Sequence, residues 1–338
     1  NTEVYEMDEI ITLDYGSGGK KSSRLIERLI LPKLFNPALG ALADGAIVDG
    51  VEKLAFSTDS FVVDPIFFPG GDIGKLSVCG TVNDLCMCGA EPKYLSCSLI
   101  IEEGFSLASL EKIIDSMAAQ CQKTGVQVIT GDTKVVEKGR GDGIYINTAG
   151  IGFVKYPGLS PQNMREGDLV IVSGCLGDHG TAVMLARSGM MQGDISSDCA
   201  SLNKLTESMF ASSKKLRVLR DPTRGGAATT LNEFIEGSEL GIELEEELIP
   251  VRPQVRAACD MLGLDALYCA NEGKLLAVVA REDGEKLLEA MRRLPEGRDS
   301  AVIGRVTREH PGTLVMKTAL GGRRILQKLT GAQLPRIC

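Results

Sequence analysis

Runs of apolar residues at two different spacings divide the first half of the chain into helices and strands. Residues 106–123 repeat apolar side chains at helical spacing, with Ser106 placed to cap the start and Gly125 just beyond the end. The same spacing predicts a helix over 73–88. Apolar runs of strand length predict strands over 53–58, 61–63, 95–101, 126–130 and 144–154.

Residues 156–167 interrupt this pattern, because they are rich in proline, glycine and polar residues and are typical of a linker. A chain of 338 residues also exceeds the size at which single cores usually stop growing. We therefore predict two domains of α/β (α+β) class. The second series has predicted strands over 168–173, 275–279 and 301–307 and helices over 181–187 and 227–234.

The domain boundaries follow from these breaks, whereas the strand order within each domain stays open at this point. We place a glycine-rich arm and helix at 1–42, a first domain at 43–158, a second domain at 159–328 and a mobile tail at 329–338.

Charge and composition narrow the possible partners. The net charge of −8 argues against nucleic acid and anionic membranes, which bind clustered lysine and arginine. We find no signal peptide and no apolar run long enough to span a bilayer, so we expect a cytoplasmic protein. The ten cysteines include no C-x-x-C pair, which favours core packing over a metal site. Only His179 and His310 are present, and His179 is interpreted as a turn residue.

The last residue, Cys338, carries a thiol on a short arm. A thiolate on a mobile arm can accept a group at one site and carry it to another, which makes Cys338 a candidate covalent substrate handle. From Leu329 such an arm spans roughly 30 Å when fully extended. The alternative is an idle, frayed end. Prenylation is excluded because that chemistry needs the cysteine fourth from the end.

Four aspartates occur where folding does not require an acid, at the ends of apolar strands or inside an apolar helix. Carboxylates gathered at strand ends are typical ligands of Mg²⁺, which usually holds nucleotide phosphates at the same time. Each of them alone is equally typical of a solvated turn. The four are Asp59, Asp64, Asp84 and Asp132.

Two glycine-rich segments could present backbone N–H groups and cations to phosphates. The first contains Gly16, Gly18, Gly19 and Lys20 but matches neither common nucleotide-binding glycine motif, so a flexible loop is the alternative. The second runs from Asp221 through Arg224 to a glycine pair, where a simple turn into a helix is equally plausible.

Lys134 and Glu272 lie at the margins of apolar strands in different halves of the chain. Brought together across a domain interface, they could bind phosphate and abstract a proton respectively. A structural ion pair is the other interpretation, and both stay open on the sequence alone.

Seven segments taken jointly resemble a hydrogenase maturation family of carbamoyl dehydratases within the aminoimidazole ribonucleotide synthetase-like (PurM-like) superfamily. The resemblance spans nearly the whole chain, and the terminal Pro-Arg-Ile-Cys is its most specific part. Tyr15 departs from the family, which commonly has histidine before this glycine loop. The segments are 15–19, 56–60, 80–84, 129–134, 221–226, 270–273 and 335–338.

The resemblance implies a PurM-like architecture, with an N-terminal ATP-binding domain that dimerises and a C-terminal α/β sandwich domain. It implies that the carbamoyltransferase HypF loads a carboxamide onto Cys338, which this chain dehydrates with ATP and Mg²⁺ to an S-bound cyano group for the iron of a HypC–HypD complex. Glu272 is implied as the base and Lys134 as a neighbouring charge. Implied metal positions are Asp59, Asp64, Asp84, Asp132 and Asp221, and implied nucleotide positions add Gly16, Gly18, Gly19, Lys20, Asn83, Thr133 and Arg224.

Two other classes of function compete with this interpretation. Another ATP-dependent enzyme of the superfamily, such as selenophosphate synthetase or thiamine monophosphate kinase, would share the nucleotide residues. The first of these normally has a reactive cysteine or selenocysteine beside its glycine loop, where this chain has Ser17, and neither gives Cys338 a role. A cysteine-rich metallochaperone or assembly scaffold would hold iron or zinc and consume no ATP.

Overall fold

The computed structural model describes residues 9–16, 20–40, 46, 48–189, 194–329, 334 and 336–338. A π-helical turn, Ile26–Ile30, joins the first two helices. The helices are α1 (Lys20–Leu25), α2 (Leu31–Leu34), α3 (Pro37–Gly40), α4 (Ile73–Met87), α5 (Leu107–Thr124), α6 (Asp178–Ser188), α7 (Asn203–Ser212), α8 (Gly226–Ile235), α9 (Pro253–Leu262) and α10 (Gly284–Arg292). The strands are β1 (Leu54–Phe61), β2 (Phe67–Phe68), β3 (Gly71–Asp72), β4 (Ala90–Glu102), β5 (Gln127–Val136), β6 (Ile144–Val154), β7 (Leu169–Val172), β8 (Leu216–Arg220), β9 (Gly241–Glu245), β10 (Leu276–Val279), β11 (Ala301–Thr307), β12 (Leu314–Lys317) and β13 (Arg323–Leu326).

The first domain is built on a four-stranded sheet with the order β1-β6-β4-β5. β6 runs antiparallel to β1 and β4, and β4 is parallel to β5. Helices α4 and α5 pack against each other, and α4 lies over β1 and β6. α4 is buried along nearly its whole length, because α7 and β8 of the second domain also contact it. Its apolar sequence therefore reflects burial on several sides.

Helix α5 shows how closely the apolar spacing determines the local structure. The Ser106 hydroxyl accepts a hydrogen bond from the Ser109 N–H at 3.3 Å, which caps the first turn. Gly125 ends the helix in the left-handed region at φ 79°, where glycine carries no steric penalty. The face that begins with Leu107 and Leu110 is buried against the domain core. The helix predicted at 106–123 is confirmed to within one residue at each end.

The second domain has a seven-stranded sheet with the order β13-β12-β9-β11-β7-β10-β8. Its strands pair antiparallel except for β12 and β9. Both faces are covered: residues of α8 share a core with one face, and residues of α7 and α10 share a core with the other. Every residue of β10 is buried for this reason. The predicted two-domain mixed architecture is confirmed.

Several strand predictions were wrong in extent. The strand predicted at 53–58 continues to Phe61 as β1, and residues 62 and 63 of the strand predicted at 61–63 lie beyond it, so that Asp59 lies within a strand opposite Thr148 rather than beyond its end. β4 and β5 continue past the predicted limits, because polar residues at their ends still pair in the ladder. The strands β9, β12 and β13 and the helices α7, α9 and α10 were not predicted.

The loop before α7 fixes the two domains to each other through buried polar contacts. The Asn83 side chain donates to the Ala200 carbonyl at 3.0 Å and accepts from the Leu202 N–H at 2.8 Å. Gln120 donates to the Ser201 hydroxyl at 2.9 Å. Asn83 was proposed from the sequence as a nucleotide contact. In the structure both ends of its side-chain amide form hydrogen bonds at this domain interface. Among the described helices, none is both long and apolar enough to cross a bilayer.

Candidate active site

Three aspartates from three elements form an acidic cluster where the domains meet. Asp59 lies in β1, Asp84 near the end of α4, and Asp221 directly after β8. Burial raises the pKa of each, and the charge of Asp84 adds to the pKa rise of Asp59 and of Asp221, which reaches about 7. The Ser57 hydroxyl donates to Asp84 Oδ2 at 2.6 Å and partly offsets the effect. The three carboxylates are therefore not fully neutralised by nearby cations and would be stabilised by a bound one.

Close approach of α4 to β1 brings the acidic cluster together and depends on Gly80. A Cβ atom built at Gly80 would lie 2.9 Å from the ring of Phe61 and 3.5 Å from Asp59 Oδ2. The first distance is too short for real carbon atoms, so a larger residue would push the helix away from the strand.

The donor set of the acidic cluster fits a magnesium ion shared with phosphate. Carboxylate oxygens are the ligands Mg²⁺ prefers, and it usually takes only one or two from the protein while keeping water and phosphate oxygens. Among the described residues, Asp59, Asp84 and Asp221 do not close into a group with ligand atoms within 4.8 Å of one another. A shared ion, rather than a protein cage, matches this spacing.

The group that does close in the described part of the chain is Glu243, Glu309 and His310. Glu243 already binds Lys317 at 2.9 Å and Arg305 at 3.0 Å, which disfavours a cation there.

The loop from Asp221 to α8 places Arg224 beside the acidic cluster. Gly225 and Gly226 both have left-handed backbone, and a Cβ at Gly226 would lie 2.5 Å from the Leu267 carbonyl. The loop is held from behind by Asn271, whose side chain donates to the Pro222 carbonyl at 3.1 Å. Glycine is thus required for this turn. The turn holds Arg224 in place beside the carboxylates of the acidic cluster.

Cys338 lies buried in the same place. Arg224 Nη1 is 3.5 Å from Cys338 Sγ, and the Cys338 carbonyl accepts from the Val62 N–H at 3.1 Å. Burial raises the pKa of the Cys338 thiol, the nearby Glu272 raises it further, and Arg224 acts in the opposite direction. Arg336, two residues before the thiol, binds Asp142 and the Val62 carbonyl instead.

A set of polar contacts, here called the tail latch, holds the segment that carries Cys338. His179 Nε2 donates to the Ile337 carbonyl at 2.7 Å while Nδ1 lies 2.8 Å from the Ser197 hydroxyl. Arg187 donates to the carbonyls of Arg336 at 2.7 Å and Asp64 at 2.6 Å. The interpretation of His179 as a turn residue was wrong, since it lies in α6 and burial lowers its pKa. Asp64 belongs to the latch through its backbone carbonyl and through its carboxylate, which lies 3.7 Å from Arg187 Nε.

Glu272 is buried, and its Oε1 atom has no hydrogen-bond partner. Burial first, and then the neighbouring Cys199, Asp221 and Asp198, raise the pKa of its carboxyl group well above its usual range. Its backbone N–H donates to Asp198 Oδ1 at 3.0 Å. A carboxyl group held in this way has a high affinity for a proton.

The remaining predicted positions lie elsewhere in the chain, at what we call the β5 edge. Lys134 Nζ and Asp132 Oδ1 form an exposed pair at 2.8 Å, and Lys134 lowers the pKa of Asp132. The strand order places β5 three strands from β1, roughly 14 Å at the usual strand spacing. A cavity of about 240 Å³ at this edge is lined by Asp132, Thr133, Lys134 and Tyr15. Gly16 and Lys20 flank it in sequence, whereas Gly18 and Gly19 lie outside the described residues.

Comparison with known proteins defines the class. Residues 42–154 match AIR synthase related protein, N-terminal domain, and residues 165–317 match AIR synthase related protein, C-terminal domain. The chain is therefore a two-domain AIR synthase related protein. Thiamine monophosphate kinase from Aquifex aeolicus, 19% identical with a TM-score of 0.59, shares the fold alone.

Similarity to curated proteins is much closer within this class. Carbamoyl dehydratase HypE of Azotobacter vinelandii is 48% identical over 97% of both chains, and that of Escherichia coli K12 is 43% identical over 97% of this chain and 99% of the relative. The chain belongs to the HypE family of hydrogenase maturation proteins, which confirms the resemblance noted in the sequence.

Two solved structures are similar along most of the chain. A crystal structure of hydrogenase maturation protein HypE in complex with ATP has a TM-score of 0.93 at 48% identity, covering 97% of this chain and 99% of that one. A HypE–HypF complex has a TM-score of 0.78 at 46% identity, covering 90% and 99% respectively.

Proposed function

We propose that this protein uses ATP to dehydrate a carboxamide carried on Cys338, giving an S-bound cyano group that becomes the cyanide ligand of NiFe hydrogenase iron. The observation that carries the proposal is the burial of Cys338 between Arg224 and the high-pKa carboxyl group of Glu272, beside an acidic cluster. A thiol stored there for packing alone would not need a cation and an acid aimed at it.

Loading of the thiol requires the tail latch to open. Buried as it is, the Cys338 thiol has a raised pKa and is a poor nucleophile. A HypF carbamoyltransferase, the partner seen in the similar HypE–HypF complex, therefore transfers the carbamoyl group to the undocked segment. Docking then returns the loaded sulfur to the pocket, and the product is passed to a HypC–HypD iron complex.

Dehydration needs the carboxamide oxygen to become a leaving group. Asp59, Asp84 and Asp221 would hold Mg²⁺ against the phosphates of ATP, where the ion supplies charge neutralisation during in-line transfer. Arg224 orients the loaded sulfur. The amide oxygen attacks the γ-phosphoryl group and releases ADP, and the amide nitrogen gives up one proton to water. The carboxylate of Glu272 takes the second N–H proton as the C–O bond breaks, which leaves phosphate and a C≡N group on sulfur.

A homodimer would complete this site. Leu54, Phe56 and Ile100 are exposed on the four-stranded sheet, and the alternation of β1 puts Leu54 and Phe56 on the face away from α4. Pairing two such faces buries them and brings the β5 edge of one copy towards the acidic cluster of the other. Lys134, on the edge strand β5, would then act on phosphate in the second copy's site.

The test is maturation of hydrogenase in cells whose own copy is replaced. Cys338→Ser keeps the size of the side chain but cannot carry the thiol-bound group, so we expect no cyanide ligand on the iron, measured by its infrared nitrile bands. The matched control is Cys88→Ser, which likewise removes one thiol, at an exposed position, but leaves Cys338 in place. Normal nitrile bands with Cys338→Ser would refute the proposal.

A further inference from the structure

Two cysteines that are in contact with each other lie beneath the tail latch. Cys259 of α9 and Cys269 have their sulfur atoms 3.9 Å apart, and both residues are buried. The Thr181 hydroxyl lies 3.6 Å from Cys259 Sγ. The proposed dehydration uses neither sulfur. Two thiols in contact can be joined by a covalent bond after a small movement, so this pair is a possible modification site.

Access to the pair comes through a cavity that Cys259 lines and Cys338 does not. Cys259 lines a cavity of about 290 Å³ whose wall includes Arg256, Arg324, Asp260 and Asp265. A polar cavity of this size admits water and small oxidants. Contact with Cys269 lowers the pKa of the Cys259 thiol to about 7, whereas the same contact and burial raise the pKa of Cys269, whose S–H lies 3.5 Å from the Asp265 carbonyl. Cys259 is thus the attacking sulfur and Cys269 the resolving one.

The cysteine pair packs against the tail through Gly180 and Leu334. A Cβ atom built on Gly180 of α6 would lie 3.0 Å from Leu334 Cδ1 and 3.2 Å from Cys269 Cβ, so the three meet at one point. The Cys269 carbonyl also accepts from the Asn271 side chain, one residue before Glu272. A disulfide needs sulfur atoms about 2 Å apart, so forming it must displace atoms that pack under Leu334.

We propose that Cys259 and Cys269 form a peroxide-sensitive dithiol pair whose oxidation to a disulfide releases the segment that carries Cys338. The Cys259 thiolate attacks a peroxide oxygen, giving a sulfenic acid and hydroxide. Cys269 then attacks the sulfenic sulfur, forming the S–S bond and releasing water as its own proton neutralises the departing oxygen. Two electrons pass from the sulfurs to the peroxide, and a dithiol reductant restores the pair.

The first arm of the test uses hydrogen peroxide on the full chain and asks whether the bond forms. Trypsin leaves both cysteines in one peptide, 257–274. After peroxide treatment and alkylation, we expect this peptide two hydrogens lighter than its reduced form and without alkylating reagent. Alkylated cysteines in this peptide, under conditions that oxidise the exposed Cys88, would overturn the proposal.

The second arm measures the release of the tail and does not depend on the dehydratase activity. Cleavage after Glu309 gives a peptide, 310–338, whose single cysteine is Cys338. We expect peroxide to speed alkylation of Cys338 about tenfold, and dithiothreitol to restore the slow rate, because opening of a local unit exposes its buried groups. Cys259→Ser should abolish the effect and Cys88→Ser should keep it. If the disulfide forms but the alkylation rate of Cys338 does not change, the proposed release is contradicted. Reversal by dithiothreitol is measured on the wild-type protein, so this test remains valid even if Cys259→Ser folds poorly.

Discussion

The acidic cluster and the β5 edge use the same residue types in opposite ways. Asp221 is buried among other carboxylates, which raises its pKa to about 7, whereas Asp132 is exposed beside Lys134, which lowers its pKa. At the β5 edge the negative charge of Asp132 is balanced by Lys134 of the same chain, whereas the three carboxylates of the acidic cluster need added cations. Chemistry that brings Mg²⁺ and phosphate is therefore expected at the cluster, and in the proposed dimer the edge of the second copy would assist it.

Removal of the buried acid beside the cluster, Glu272, should have the largest effect. Glu272→Gln keeps the shape of the side chain but cannot take the amide proton, so dehydration of loaded Cys338 should fall by about 10²–10⁴-fold while the loaded tail persists. Quantitative mass spectrometry of Cys338 after a single turnover checks this. Glu245→Gln, a partly exposed position in the second domain, is the matched control. Unchanged turnover would remove Glu272 from the mechanism.

The next largest effect should be on nucleotide affinity, which should distinguish the acidic cluster from the β5 edge. Asp84→Asn removes a buried carboxylate of the acidic cluster and should weaken binding of Mg-ATP by about tenfold or more, measured by calorimetry. Asp132→Asn, its counterpart at the exposed edge, should weaken binding less in protein diluted to monomers. Equal losses from both variants would break the contrast between the regions.

Acid titration provides a third comparison. Because the folded pKa of Asp221 is near 7 and its unfolded pKa is near 4, the folded state binds more protons between these values. Stability without nucleotide should therefore fall as pH rises from about 4 to about 7, by on the order of 4 kcal/mol from this group. Asp221→Asn should flatten that slope in urea unfolding, and Asp132→Asn should not. A slope that survives Asp221→Asn would contradict the assigned pKa.

The smallest expected effect concerns the tail latch. Arg187→Ala removes donors to the carbonyls of Arg336 and Asp64, so the docked segment should open more often and Cys338 should be alkylated about fivefold faster. Lys215→Ala, which removes an exposed ion pair in the second domain, is the control. An unchanged rate would mean that other contacts hold the tail.

Local structure could be predicted well where one periodicity dominates. Helix α5 and strand β6 match the predicted ranges because each buries a single face against one core. The acidic positions Asp59 and Asp84 could be found because an unneeded carboxylate in an apolar element is conspicuous. Whether each of them contacts metal or nucleotide stays a prediction.

The contacts that join distant segments could not be predicted, because periodicity carries no information on strand order or domain packing. Asn83 looked like a nucleotide residue beside Asp84, yet it holds the domain interface. His179 gave no signal beyond being one of two histidines, although its position at the start of an apolar helix after Gly177 could have suggested a buried role. Lys134 lies on β5, at the opposite edge of the sheet from β1, and its role beside Glu272 stays a prediction.

The most direct measurement follows the mass of peptide 310–338 through one reaction cycle with a HypF carbamoyltransferase and ATP. We expect this peptide to gain one carbamoyl group at Cys338 on loading and then to lose one molecule of water when Mg-ATP is added. A peptide that never carries the carbamoyl group, while the protein still supports hydrogenase maturation, would contradict the role of Cys338.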